Sequence, residues 1–297
     1  MPQLNTIQRV NSDYLNSILG HKFNVLDKGF IRVIDYMGDE SSIVQAARVS
    51  YGSGTKTVNE DKGLIRYLMR NKHTTPLEMC ELKIHVKLPI FIARQWIRHR
   101  TASVNEYSAR YSVLDKEFYI PNEEDLQKQS TANKQGREGV MDAALCKQVQ
   151  DLLVNDANSS YDTYEELLNS DLSRELARMN LSLNYYTQWY WKIDLHNLLH
   201  FTALRMHPHA QKEINDYARI ISDIVKGWLP NVHKAFLDYN VNSVSFSDVE
   251  MQFLKYIFTN NDVLEELKDY TQSKILEGKM SKREAKQFIN SLTVGGL

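Results

Sequence analysis

Glu81-Leu82-Lys83-Ile84-His85-Val86-Lys87-Leu88 alternates without a break. Leu82, Ile84, Val86 and Leu88 fall on one side, with charged side chains and an imidazole on the other. A period of two marks a strand with one buried face, and this is the clearest strand in the chain. Pro89 then opens a helix in which Arg94 and Arg98, four apart, share a face beside Gln95. That helix is expected to fray near His99 and to deliver Arg100 to Tyr111 as a loop.

Working outward, Lys28 to Tyr36 is β-branched and aromatic and reads as a strand, as do the segments 113–120 and 184–193. Residues 1–25 are polar and read as a peripheral extension. Ser41-Ser42 are expected to cap a short helix, and Asn59 to Lys72 carries Leu64, Ile65, Leu68 and Met69 on one helical face. Thr75, Pro76 and Glu78 have the spacing of a capping box, with Thr75 as N-cap. Such a helix start would offer backbone N–H groups to a ligand. Residues 122–137 read as a surface loop. Helix is expected over about 139–170, with a break at Asn155–Ser160, then over 173–179, 194–206 and 210–228 and on toward Asn240. His207-Pro208-His209 marks a break. Residues 241–297 turn polar and charged and suggest two or three small helices.

Four arginines and a histidine lie between Arg94 and Arg110, with Ser103, Asn105 and Ser108 among them. Guanidinium forks match phosphate oxygens two at a time, so the stretch suits an anion-binding wall. A solvated basic loop is the plainer reading. The formal net charge is −1, with 42% hydrophobic and 25% charged residues. A dedicated nucleic-acid binder shows a basic excess; a local cluster in a neutral chain favours a small anionic ligand. The first sixteen residues lack the apolar core of a signal peptide, and no apolar run is long enough to span a membrane. The cytosol is the expected compartment.

A second constellation competes. His196 and His200 are four apart on a predicted helix after Asp194, a spacing at which two imidazoles can ligate one metal in a hydrolase. The zinc-protease glutamate next to the first histidine is absent. Cys80 and Cys146 have no neighbouring base and read as buried structural thiols. Neither a Gly-x-Ser-x-Gly elbow nor a Gly-x-Gly-x-x-Gly turn after a strand is present.

Arg98-His99-Arg100-x-x-Ser103-x-Asn105-x-x-Ser108-x-Arg110-Tyr111 resembles, at every defined position, the signature of the flavin-dependent thymidylate synthases. The segments 26–30, 46–54, 73–79, 85–96, 117–121 and 195–214 resemble that family in the same order. The likeness covers roughly 26–240 and leaves 1–25 and 241–297 as extensions.

The resemblance implies an α+β fold, a twisted antiparallel sheet packed by long helices, with a helical C-terminal extension. It implies conversion of dUMP to dTMP, with 5,10-methylenetetrahydrofolate as carbon donor and NADPH as reductant through tightly bound FAD. It implies a homotetramer with shared sites, and no enzyme cysteine as nucleophile. Gln95, Arg98, Glu106, Ser108, Arg110 and Arg178 match dUMP positions. Arg205 matches the catalytic arginine against the uracil ring, where a cation favours ionisation at N3. Ser50, Thr75, Glu78, Arg98, His99, Arg100, Glu106, Asp194, His196 and His200 match FAD positions, and His73 a position on the folate and flavin face. One family variant carries Asn-Ala-Arg-Ser-Leu where this chain has Asp194-Leu-His196-Asn197-Leu198.

Overall fold

The structure is a computed structural model and describes residues 9–49, 58–131, 136–260 and 263–292. The chain divides into two compact units, Met1–Val241 and Asn242–Leu297.

In the first unit, α1 (Asp13–Ile18) and β1 (Lys22–Val25) precede β2 (Gly29–Met37), α2 (Glu40–Val49), α3 (Val58–Arg70) and α4 (Thr75–Glu78). Then come β3 (Glu81–Pro89), α5 (Ile90–Trp96), β4 (Ser103–Glu106), β5 (Gln127–Gln129), β6 (Arg137–Val140) and α6 (Ala143–Asn169). The unit closes with α7 (Arg174–Ala177), β7 (Tyr186–Asp194), α8 (Leu195–Met206), α9 (Lys212–Trp228), α10 (Pro230–Phe236) and a π turn, Leu237–Val241. Five strands form one antiparallel sheet in the order β1-β2-β3-β7-β4, and β5 pairs with β6 in a separate hairpin. The α+β expectation holds.

The alternation in β3 becomes burial: Leu82, Ile84, Val86 and Leu88 are fully buried. Their cross-strand partners are apolar too, with Ile31 opposite Val86, Val33 opposite Ile84, and Trp189, Trp191 and Ile193 opposite Val86, Ile84 and Leu82. Burial of each such side chain contributes roughly 1.5–3 kcal/mol. A register shift between Val33 and Asp35 re-aims the end of β2, so Tyr36 points inward. Helix α9 adds Ile214, Tyr217, Ala218, Ile221, Ile224, Val225 and Trp228, an apolar stripe at helical spacing that is buried in this core. The Tyr217 hydroxyl donates to the Lys87 carbonyl at 2.6 Å. It passes so close to Gly29 that an added Cβ would lie 2.1 Å from it.

The N-terminal segment is more integral than its polarity suggested. β1 is an edge strand of the sheet, Leu15 is fully buried, and the Tyr14 ring occupies the space where a Cβ on Gly227 would stand. Other expectations are corrected. α2 begins at Glu40 and takes its cap from Asp39, whose carboxylate accepts the Ser42 N–H at 3.0 Å. Thr75 is no N-cap: the preceding Thr74 is itself helical and makes no side-chain cap bond. The Thr74 carbonyl takes the Leu77 and Glu78 N–H groups, so those donors are not free. Capping boxes form instead in the second unit, where Ser247 pairs with Glu250 and Ser281 with Glu284.

Residues 103–106 form an edge strand on β7 rather than loop, and 113–120 make only an isolated bridge, Phe118 to Tyr185. The 122–137 region carries a 3-10 turn and β5, with β6 starting at its end. Asn155–Ser160 do not interrupt α6, which runs for 27 residues. Its Ala157, Tyr161 and Tyr164 form a smaller core with Ala109, Leu114 and Phe118. The second unit holds α11 (Asp248–Asn260), α12 (Val263–Leu276) and α13 (Lys282–Leu292). Among the described residues no helix is long and apolar enough to cross a membrane.

Candidate active site

Helix α5 stops at Trp96, a fully buried side chain surrounded by Trp189, Trp191, Phe201 and Tyr217. The chain then tightens, with Ile97 N–H donating to the Ala93 carbonyl and His99 N–H to the Trp96 carbonyl, each at 3.0 Å. This turn leaves Arg98 and Arg100 exposed and turns His99 partly inward. Arg205, from the last turn of α8, meets it there. Its Nε donates to His99 Nε2 at 3.1 Å and its Nη2 to the Gln95 carbonyl at 3.3 Å. The Gln95 side chain is held in turn by Gln211, just before α9.

Two cavities meet at this point. One, of about 580 Å³, is lined by Arg94, Gln95, Ile97, Arg98 and Arg205. The other, of about 410 Å³, includes Arg98, His99, Arg100, Asn197, His200 and Arg205 in its lining. Among the described residues no carboxylate pairs with Arg94, Arg98 or Arg100. Unneutralised guanidiniums around a concave wall favour an anion. Burial lowers the pKa of Arg205, and the nearby charge of Arg98 lowers it further. Burial, then Arg205 and His200, bring His99 down to about 4, so its imidazole is neutral at physiological pH.

The remaining nucleotide candidates form a second group. Glu106, on β4, accepts a hydrogen bond from the Thr187 hydroxyl at 2.7 Å. Ser108 accepts the Arg110 N–H at 3.3 Å, and Arg110 pairs with Glu175 at 3.2 Å. Buried Ala109 anchors this loop to the smaller core, and Arg174 donates to the Tyr111 carbonyl at 2.9 Å. Arg178 lies three residues beyond Glu175 and is exposed. Neither arginine-lined cavity includes Glu106, Ser108, Arg110 or Arg178.

His73 and Thr75 line a third cavity, of about 820 Å³, with Ala46, Leu64, Tyr67 and Lys72. Glu78 is half-buried beside it in sequence, and Ser50 lies outside the described residues. Asp194 caps α8: one oxygen accepts the Asn197 N–H at 3.0 Å and the other the Asn197 side-chain amide at 2.7 Å. His196 is half-buried and does not line the cavity that His200 lines. Among the described residues no three His, Cys, Asp or Glu are placed to hold a metal ion. Residues that position the site without carrying charge were not singled out from sequence: Gln211 behind Gln95, and Thr187 behind Glu106.

Both cysteines are buried. Burial, reinforced by Asp39 and Glu40, pushes the Cys80 thiol up to about 12, and burial also raises Cys146. Neither forms a thiolate near neutral pH. The folded protein should therefore show no fast-reacting thiol toward Ellman's reagent at pH 8, and two after denaturation; one rapid equivalent in the native state would contradict this burial.

Residues 32–231 match the family model described as thymidylate synthase complementing protein. The chain belongs to the flavin-dependent thymidylate synthase family. The flavin-dependent thymidylate synthase of Rickettsia conorii is 54% identical over 281 residues, covering 90% of this chain and 96% of that protein. That of Gluconobacter oxydans is 58% identical over 249 residues, 83% of this chain and 82% of its own. A crystal structure of the UMP/dUMP methylase PolB from Streptomyces cacaoi, bound with 5-Br dUMP, is similar at 29% identity and a TM-score of 0.68. It covers 75% of this chain and 100% of that one. For a flavin-dependent thymidylate synthase, the arginine-rich turn after α5 is the stretch that carries the signature.

Proposed function

We propose that the chain methylates dUMP to dTMP, taking the methylene group from 5,10-methylenetetrahydrofolate and the reducing equivalents from NADPH through FAD. The carrying observation is the Arg205 guanidinium, fixed by His99 and Gln95 at the junction of two arginine-lined cavities. The residues fit the groups they would hold. Arg98 and Arg100, lacking carboxylate partners among the described residues, suit the diphosphate of FAD, and His99 and His200 line the same cavity. Bound FAD supplies hydride chemistry that side chains cannot.

The protein's own share is positioning and electrostatics. Gln95, Arg98, Arg110 and Arg178 bind the nucleotide, and Glu106 and Ser108 orient the uracil. Arg205 sets a cation against the ring, stabilising negative charge at N3 and raising the nucleophilicity of C5. Two buried, protonated thiols leave no cysteine for attack on the pyrimidine. The nucleotide candidates fall into two groups on one chain, which supports a homotetramer whose sites are completed by a neighbouring copy. Residues 26–240 carry the chemistry in this reading, β1 and Leu15 of the N-terminal segment complete the sheet edge and core of the same unit, 241–297 are an extension, and the cytosol is the site of action. The near-neutral charge supports small-molecule partners over nucleic acid.

Purified protein reconstituted with FAD should be yellow, bleach under NADPH, and release tritium from [5-³H]dUMP with methylenetetrahydrofolate. Protein that takes up no FAD and releases no tritium would sink the proposal.

A further inference from the structure

We propose that His99 is a positioning residue for Arg205: its unprotonated Nε2 receives the Arg205 Nε–H and, with the Gln95 carbonyl, fixes the plane of that guanidinium. The inference rests on the reading of Arg205 as the cation against the pyrimidine.

The two hydrogen bonds, 3.1 Å and 3.3 Å, use the side of the fork formed by Nε and Nη2. A guanidinium has five N–H donors. Committing one to His99 and one to Gln95 leaves the far edge of the fork for a ligand. The anchoring opposes a definite force, because Arg98 lines both of the same cavities and its charge acts against Arg205. Without an acceptor at His99, that repulsion and the rotamer freedom of a long side chain would both move the guanidinium.

His99 is itself held. Its backbone N–H donates to the Trp96 carbonyl, and its ring meets the Phe201 ring edge-on at 4.9 Å. Phe201 and Arg205 are four apart on α8 and so share a face. The imidazole therefore sits against one turn of α8 and accepts from the next. Accepting at Nε2 places its proton on Nδ1, since a proton on Nε2 would set two N–H donors against each other. Among the described residues, the charged and titratable groups facing it are Arg205 and His200 from α8 and Arg98 and Arg100 from its own segment. None is acidic, and burial with these neighbours holds the ring neutral.

The test compares His99→Phe, which keeps a ring against Phe201 but has no acceptor, with His99→Gln, which restores one. Both are assayed as FAD-reconstituted enzyme, with FAD content measured. His99→Phe should lower kcat about 100-fold, as expected when a reacting group is displaced by about 1 Å. His99→Gln should recover to within about tenfold of the unmodified enzyme. Equal loss in both variants at full FAD content, or full activity in His99→Phe, would overturn the proposal. Should either variant fail to fold or lose FAD, ¹⁵N NMR of the unmodified protein decides. His99 should be the neutral Nδ1–H tautomer from pH 5.5 to 8; an Nε2–H tautomer or a titration near pH 6.5 would overturn it. That signal reports the His99–Arg205 bond whether or not the protein makes dTMP, so it separates this proposal from the functional one.

Discussion

Arg205→Ala should lower turnover by about 100- to 1,000-fold, the range lost when one preorganised electrostatic donor is removed from an active site. FAD content should stay near that of the unmodified protein. Arg205 borders both cavities, but Arg98 and Arg100 remain to hold an anionic cofactor. Among the described residues its hydrogen bonds go to two neutral acceptors, His99 and the Gln95 carbonyl. Truncation therefore leaves no carboxylate unpaired, and the expected damage is to chemistry rather than to folding. Steady-state kinetics with varied dUMP should show kcat and kcat/KM falling together, the sign of an interaction made in the transition state. Loss of flavin with unchanged turnover per bound flavin would reassign Arg205 to the cofactor.

Trp96→Ala should be the most damaging single core change. The side chain is fully buried, with ring centroids of Phe201, Trp191, Tyr217 and Trp189 at 4.5, 5.2, 5.8 and 6.0 Å. Among the described residues its indole N–H has no hydrogen-bond partner, so the cost comes from packing and the cavity left behind. Truncations of this kind cost about 3–5 kcal/mol. For a unit of this size that corresponds to a melting temperature lower by about 6–20 °C. Trp96→Phe should recover most of the loss. Because Trp96 ends α5 two residues before Arg98, differential scanning calorimetry should be paired with flavin titration; a melting temperature unchanged in Trp96→Ala would contradict the packing.

The middle of the sheet was legible because its strands obey one strong rule. β3 alternates, β7 is dense in aromatic residues, and both lie in the interior of the sheet, where one face must be apolar. β4 was not legible: Ser103 to Glu106 are all exposed, and an edge strand on β7 needs only backbone pairing. The segment 113–120 was over-read for the converse reason. Its aromatic residues are buried outside the sheet: Phe118 lies in the smaller core beneath α6, and Tyr119 packs against Phe91 and donates to Glu213 at 3.2 Å. The capping box at Thr75 failed because a four-residue helix following Lys72, whose φ is +56°, closes on backbone carbonyls before a side chain is needed.

The site divides in the same way. The arginines and histidines were visible from their residue types and spacing, and the structure brings Arg98, His99, Arg100, His200 and Arg205 together around one cavity. Their supports were not visible. The partner of Gln95, Gln211, is 116 residues away and carries no charge, so nothing local marks it. The metal reading of His196 and His200 rested on helical spacing alone, and only His200 reaches the cavity.

Arg98 and Arg205 are walls common to both arginine-lined cavities. Two ligands that draw on the same pair of cations are not bound independently, and their affinities are linked. By thermodynamic necessity, the factor by which one occupant changes the other's dissociation constant is the factor by which it is itself changed. An inhibitor seated in either cavity would thereby report, through its own affinity, whether the other is filled.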